Sequence, residues 1–323
     1  MRGKTLAVYI IGRLLQLVVV LFLSALLIFL LCHLSRIDPV AVILGGRQTS
    51  AETIAALREK FHLNDPLYKQ FFTWVWGMLH GDFGLDFKYQ QSVWELIRGR
   101  LGVTLTLSGM SAALALLIAL PLGVLGGIRP NTIWDRASSV FTLLAMATPP
   151  FFISIAAIAV ISRVAPGISF TGTFHGFGEA VSRLWLPTIC LSLGLIALAQ
   201  RITRTSMIAE MQSPHIRMAQ AKGLGEGTVI WKHAFKNALI PLITVWGIQM
   251  GSLLVGAVLV ENVFSLSGLG GLLISAVQTG NYPVTQGITM LLVFIFLVIS
   301  SLTDILYAWI DPRVRIGREE AEP

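Results

Sequence analysis

Charge is scarce in this chain. Of its 323 residues only 13% are Asp, Glu, Lys or Arg, against about 25% in an ordinary soluble domain, while 54% are hydrophobic. There is too little polar surface to coat a water-soluble fold of this size, which excludes both soluble and disordered readings. Cysteine is almost absent. Cys32 and Cys190 lie far apart inside apolar runs, so they form no disulfide framework or thiolate cluster and read as buried packing residues. The six histidines, His33, His62, His80, His175, His215 and His233, are scattered, with no H-E-x-x-H and no ligand-spaced pair. No metal site is expected. Nor is a phosphate-binding loop complete. Gly3-Lys4-Thr5 has only the end of that signature and reads as a basic tail, and the glycines around Gly223 and Gly268 lack the third position of G-x-G-x-x-G. No catalytic residue and no cofactor of its own are therefore expected, and the chain is not read as an enzyme.

Long charge-free runs are abundant. A helix needs about 20 mostly apolar residues to cross the hydrocarbon core. Five intervals meet or approach this: Leu14 to Ser35, Leu101 to Ile128, Ala137 to Ser162, Leu184 to Gln200, and Asn237 to Val260. The 42-residue interval from Asn262 to Thr303 is interrupted by Ser265–Gly271 and by Thr279-Gly280-Asn281-Tyr282-Pro283, both breaker sequences. It therefore predicts a short inserted helix or loop followed by one span, about Val284 to Trp309. Six spans place both termini on one side.

The net charge of +7 fits that count once sorted by side. With the ends cytoplasmic, 14 of the 24 basic residues fall inside, six of them (Arg201, Arg204, Arg217, Lys222, Lys232, Lys236) in the loop between spans four and five. The charge thus points to membrane sidedness rather than to nucleic acid. The first apolar run is too long for a signal-peptide core and no small-residue cleavage site follows it, so an uncleaved first span is expected. The predicted organisation is residues 1–34, a tail and first span; 35–99, an extracytoplasmic loop; 100–310, five further helices including the cytoplasmic loop 201–236; and 311–323, a cytoplasmic tail.

The extracytoplasmic loop has helical texture. Thr49-Ser50-Ala51-Glu52 has capping-box spacing, and Ile54, Leu57 and Phe61 follow at helical intervals. After Pro66, residues Tyr68, Phe71, Phe72, Val75, Trp76 and Leu79 form an aromatic stripe suited either to a partner protein or to the membrane interface. Ionisable groups are nearly missing from the span interiors: Glu261 sits at the outer edge of span five and Asp304 near the inner end of span six. A proton- or sodium-driven transporter ordinarily carries titratable groups at depth. The driving force is therefore expected to come from a partner.

The cytoplasmic loop is the most informative segment. Ser213 is a good N-cap, Pro214 suits the first helical position, and Gly223 suits the left-handed residue past the end. A nine-residue helix ending at Lys222 is predicted. Ala219 and Ala221 would allow close approach to another surface, with Arg217 and Lys222 available to acidic groups; a helix so short needs packing to persist.

Arg217-Met218-Ala219-Gln220-Ala221-Lys222-Gly223-Leu224, followed by Trp231-Lys232-His233-Ala234-Phe235-Lys236-Asn237-Ala238-Leu239-Ile240-Pro241, resembles the cytoplasmic signature loop of permease subunits of binding-protein-dependent ABC importers. The order of Gly12-Arg13-Leu14-Leu15-Gln16, Asp38-Pro39, Leu63-Asn64-Asp65-Pro66-Leu67, Gly81-Asp82-Phe83-Gly84, Thr104-Leu105, Val260-Glu261-Asn262-Val263-Phe264 and Asp311-Pro312-Arg313-Val314-Arg315 narrows the resemblance to the B-type subunit of the dipeptide/oligopeptide/nickel branch. Arg217, where the general importer motif is acidic, sharpens that subclass.

The resemblance implies an all-α polytopic membrane protein with six transmembrane helices, a type I importer permease fold and an extracytoplasmic helical insert after the first helix. It implies a coupling helix in which Ala219, Ala221, Lys222 and Gly223, with Arg217, meet a cytosolic ATPase. An outer gate at Glu261, Phe264 and Gly268 is a further expectation. The implied partners are a homologous second permease, two ATP-binding subunits, an extracytoplasmic solute-binding protein and membrane lipid, with no nucleic acid. The expected location is the bacterial inner membrane, and the solute a di- or oligopeptide, with nickel, a metal chelate or glutathione as alternatives. A self-contained secondary transporter or channel, and a membrane receptor or scaffold, remain the rival classes.

Overall fold

The computed structural model describes residues 2–34, 37–45, 49–174 and 176–310, with side chains between 11 and 305 in those ranges. Ser35, His175 and the expected tail 311–323, with its Asp311-Pro312-Arg313-Val314-Arg315, lie outside the described residues. The chain is all-helical, in the order α1 (Arg2–Leu34), α2 (Pro39–Leu44), α3 (Ala51–Lys60), α4 (Leu67–Leu79), α5 (Val93–Ile128), α6 (Ile133–Ala147), α7 (Pro150–Val164), α8 (Phe177–Met211), α9 (Pro214–Ala221), α10 (Glu226–Thr228), α11 (Phe235–Val263), α12 (Leu269–Thr279) and α13 (Tyr282–Ile310). A π-helical turn, Val229–Ala234, joins α10 to α11. Among the described residues five helices are long and apolar enough to cross a membrane, and the pair α6 and α7 brings the count to six if taken as one broken span.

That pair covers the third span expected over Ala137 to Ser162 and breaks it in the middle. The two halves meet at 103°. Thr148 precedes Pro149-Pro150 and is extended (φ −104°, ψ 120°), because a proline ring drives the residue before it out of the α region. Span five differs in the other direction. Helix runs unbroken from Glu226 to Val263, so the cytoplasmic loop feeds directly into the membrane through the π-helical turn. The segment between the two breakers is α12, a short apolar helix ended by Gly280 in the left-handed conformation (φ 68°).

α5 and α8, 36 and 35 residues, are the central pair, and small residues let them approach. A Cβ added at Gly123 would lie 2.6 Å from Cβ of Thr203, and one at Gly127 would overlap Met207. With no hydrophobic drive between helices in lipid, such close backbone contact is the main source of their association. Gly127→Leu is expected to destabilise the fold by at least about 2 kcal/mol through overpacking. The check is the monodisperse yield and thermal midpoint of the purified protein; a variant with wild-type values would contradict this contact. α11 meets α13 in the same way, where Gly247 faces Thr303 and Gly251 faces the Phe296 ring.

α1 stands against α13 and leaves one long apolar face uncovered, including Leu15, Val19, Phe22, Leu27 and Leu31. At its first turns Arg13 pairs with Asp304 of α13 at 2.5 Å, which gives the ionisable group of span six its partner. The residues after α1 fold back on it. Asp38 caps α2 through the Val40 N–H and pairs with Arg58 of α3 at 2.9 Å. Ser50, one residue later than the capping-box spacing suggests, caps α3. The α4 stripe divides: Phe71 packs edge-on against Phe22 and Phe29 of α1, whereas Tyr68, Phe72, Trp76 and Leu79 are exposed. α4 is thus a helix clamped by one aromatic edge. Asn281 fastens this insert to α13, donating to the Asp86 carboxylate and accepting from the Phe87 N–H.

Candidate functional site: the cytoplasmic helix, the outer hairpin and the α6/α8 seam

α9 is shorter than expected by one residue, ending at Ala221 with Lys222 as its C-cap. Its termination is a Schellman motif: Leu224 N–H reaches the Ala219 carbonyl at 3.4 Å and Gly223 N–H the Gln220 carbonyl at 2.9 Å, with Gly223 left-handed (φ 75°). Glu210, at the end of α8, holds the near end by pairing with His215 at 2.7 Å and accepting from Asn237 of α11 at 2.8 Å. Ile216 and Ala219 are buried with Val124 of α5, Met207 of α8, and Val229, Ile230 and Ala234 of the π-helical turn. An eight-residue helix is marginal alone. Here three membrane helices fix it.

Of the five residues expected at an ATPase contact, Arg217, Ala221, Lys222 and Gly223 are exposed at the tip. Ala219 is turned inward, only 8% exposed, and supports the helix from beneath. Met218, Leu224 and Trp231 add an exposed apolar component that the signature did not single out.

The three residues expected at an outer gate are brought together, but in the interior. Glu261 is fully buried and its Oε2 accepts from the Gly270 N–H at 2.7 Å. Thr104 of α5 faces the same carboxylate and accepts from the Leu269 N–H at 3.0 Å. Oε1 has no hydrogen bond of good geometry. A side chain at Gly268 or Gly270 would strike the carboxylate or the α11 backbone, so both glycines are needed for this approach. Phe264 is 2% exposed and packs edge-on against Phe170 at 5.7 Å between centroids. The arrangement folds the chain from α11 back into α12 and ties it to α5. Glu261→Gln is expected to keep the Gly270 bond and near-wild-type stability. Glu261→Ala, which orphans the Gly270 N–H, should cost about 1–3 kcal/mol, read as a lowered thermal midpoint; equal midpoints in both variants would contradict the strap. Unchanged transport in Glu261→Ala would count against a gating role.

A third constellation lies between α6 and α8. Asp135 is buried, Arg204 is partly so, and the two are joined by bonds of 2.5 and 2.8 Å. Asp135 also accepts from the Asn131 N–H at 2.8 Å, while its own N–H is capped by Thr132. One turn deeper, Gln200 accepts from Thr142 at 2.9 Å and donates to Ser138 at 3.4 Å. Beside them is a polar-edged cavity of about 360 Å³, to which Ser139, Arg201 and Thr205 contribute. Arg204, expected among the cations of the loop 201–236, lies on α8 instead. Two signals were available: Thr132-x-x-Asp135 has N-cap spacing, and Gln200 and Arg204 stand one helical turn apart on α8. Among the described residues no cluster of three or more His, Cys, Asp or Glu side chains is placed to hold a metal ion.

The chain's fold is similar to that of the methionine ABC transporter solved in inward-facing conformations. That match has a TM-score of 0.55 at 22% identity and covers 67% of this chain and 96% of the other. The bundle therefore has the type I ABC permease fold. Residues 119–316 match the model described as "Binding-protein-dependent transport system inner membrane component", and residues 6–108 match that of the N-terminal part of such membrane components. The chain belongs to this family of binding-protein-dependent permeases. It is 35% identical, over 96% of its length and all of the relative's, to a probable peptide ABC transporter permease of Sinorhizobium fredii. It is 33% identical to the dipeptide transport system permease of Escherichia coli K12, over 94% of this chain and 97% of that one.

Proposed function

We propose that this chain is one of two permease subunits of an ATP-driven importer of di- or oligopeptides, with α9 as its coupling helix. Both termini and the loop 201–236 face the cytoplasm in this reading, supported by the 14 basic residues that this orientation places inside. The ATP is bound and hydrolysed by two partner subunits, so the chain itself carries no cofactor. An extracytoplasmic binding protein delivers the solute, and a second, homologous permease completes the path. Peptide is preferred over nickel, a metal chelate or glutathione because the relatives named above are peptide and dipeptide permeases.

The observation that carries the reading is the mounting of α9. Its exposed tip presents Arg217, Ala221, Lys222 and Gly223, and its buried edge is locked to α5, α8 and the continuous helix ending at Val263. A push on the tip therefore moves α8 and α11 together. α8 carries Gln200 and Arg204 of the α6/α8 seam, whose polar side chains offer a passage wall in this reading. Affinity purification through this chain tests the composition: one second permease and two ATP-binding subunits are expected, with ATP hydrolysis rising when peptide-loaded binding protein is added. A chain that purifies alone and moves peptide without ATP would overturn the reading in favour of a self-contained transporter.

A further inference from the structure

The insert and the outer half of α1 enclose, with the start of α13, a cavity of about 380 Å³. That volume lies within the roughly 300–1,000 Å³ of small-molecule sites. Its walls are aromatic, built from Phe29, Phe61, Phe83, Phe87 and Tyr282. Several of its polar groups already have partners. His33 is bonded to Gln70 at 3.2 Å, and Gln70 to the Asp65 carbonyl at 2.8 Å; Tyr282 donates to the Ile37 carbonyl at 2.6 Å.

Two do not. Gln286 is only 5% exposed, lines the cavity, and its amide has no hydrogen bond among the described residues. Trp74 lines the same space, and its buried Nε1–H is also without a partner. The Trp74 Nε1–H has almost no accessible surface, so of the two groups it is the Gln286 amide that is open to an occupant of the cavity. At the rim stand Lys60 and Asp82, both exposed. Neither belongs to an ion pair among the described residues. Lys60 rests over the Phe61 ring, and Asp82 uses one oxygen on the Gly84 N–H. Lys60 and Asp82, unpaired among the described residues, thus stand at the edge of an aromatic cleft that holds the Gln286 amide.

We propose that this cavity binds a short zwitterionic peptide with apolar side chains. Lys60 takes the carboxylate and Asp82 the ammonium group. The Gln286 amide meets the peptide unit, and the aromatic walls take the side chains. The proposal rests on the peptide-import reading and extends it: the site is formed by the insert, α1 and α13, apart from the α6/α8 seam, and serves as a place where peptide is held on the subunit itself.

The test uses the whole transporter in phosphatidylglycerol nanodiscs, without binding protein or nucleotide, titrated with Phe-Leu dipeptide by calorimetry. Saturable binding is expected, at one peptide per copy of this chain. Lys60→Gln, which removes the cation, and Gln286→Leu should each weaken it about tenfold. A dipeptide acetylated at one end and amidated at the other should bind at least as weakly. Absence of saturable binding, or affinity indifferent to both substitutions in folded protein, would overturn the proposal. So would phosphatidylethanolamine that displaces the peptide and is itself lost in Gln286→Leu, since that assigns the cavity to a lipid headgroup. ATP-driven uptake is scored in the same preparation. Uptake without cavity binding defeats the site alone, whereas no uptake and no ATPase partners defeats the import reading beneath it.

Discussion

The double variant Ala221→Glu with Gly223→Pro is expected to insert and assemble its spans normally and to lose ATP-driven peptide uptake. Proline fixes φ near −65°, so it cannot occupy the left-handed position of Gly223 (φ 75°). The Leu224 and Gly223 bonds that end α9 are then lost, and the direction of chain entry into α10 changes. Glu at position 221 adds a long charged side chain at an exposed alanine, at the tip proposed to seat in the ATPase. The buried edge, Ile216 and Ala219, is untouched, so the membrane helices keep their packing. Loss of a coupling free energy of about 1–3 kcal/mol lowers uptake roughly 5- to 150-fold. ATP hydrolysis should stop responding to peptide-loaded binding protein. Wild-type uptake by this variant would remove α9 from the coupling role.

The second large effect is expected at the α6/α8 seam. Asp135→Ala leaves Arg204 without its carboxylate in a mostly buried setting, and it also strips the Asn131 N–H of its acceptor. Removing one partner of a buried pair costs about 3–5 kcal/mol, far more than the pair itself contributes. Arg204→Lys keeps the charge but gives up the two-pronged bond, so an intermediate loss is expected. Arg204→Met with Asp135→Leu, which removes both charges, should recover much of the stability of the single variant. Thermal unfolding of the four proteins, followed by retention of monodisperse complex, reads this order. An Asp135→Ala protein as stable as wild type would show that the pair does not hold the broken span to α8.

Much of the architecture is legible in the sequence because span and interruption are written in composition. The charge-free runs locate the membrane helices, and the breakers around Ser265–Gly271 and Gly280 announce α12 before any coordinate is needed. The kink of span three was also written, in Pro149-Pro150, but hydropathy alone passes over it: no charge interrupts the run from Ala137 to Ser162, and only the stereochemistry of the residue before proline separates the halves. The continuity from Glu226 to Val263 was hidden for the opposite reason. Lys232 and Lys236 make that stretch look like loop, although their side chains are exposed while Val229, Ile230 and Ala234 bury the other edge.

The sites divide along the same line. Punctuation by Ser213, Pro214 and Gly223 is local chemistry, and it marks α9 to within one residue. Which edge of α9 faces inward depends on Val124 and Met207, about 90 and 10 residues away in the chain, so the inward turn of Ala219 follows from tertiary packing. Glu261 shows the same limit. Its position at the end of a span is visible, but its bond to Gly270 and its place against Thr104 require α5, α11 and α12 to be assembled. Asp135 and Arg204 are 69 residues apart in sequence, and Gln286 of α13 lines a cavity walled by the distant insert; no local pattern connects them.

The most direct test of the central claim is peptide accumulation in sealed proteoliposomes that hold the complete complex, with ATP on the α9 side and peptide-loaded binding protein on the other. Concentrative uptake that requires both, and that vanishes when the complex carries Ala221→Glu with Gly223→Pro, is the predicted result. Equal uptake without ATP, or full ATP-driven uptake by the double variant, would contradict the account.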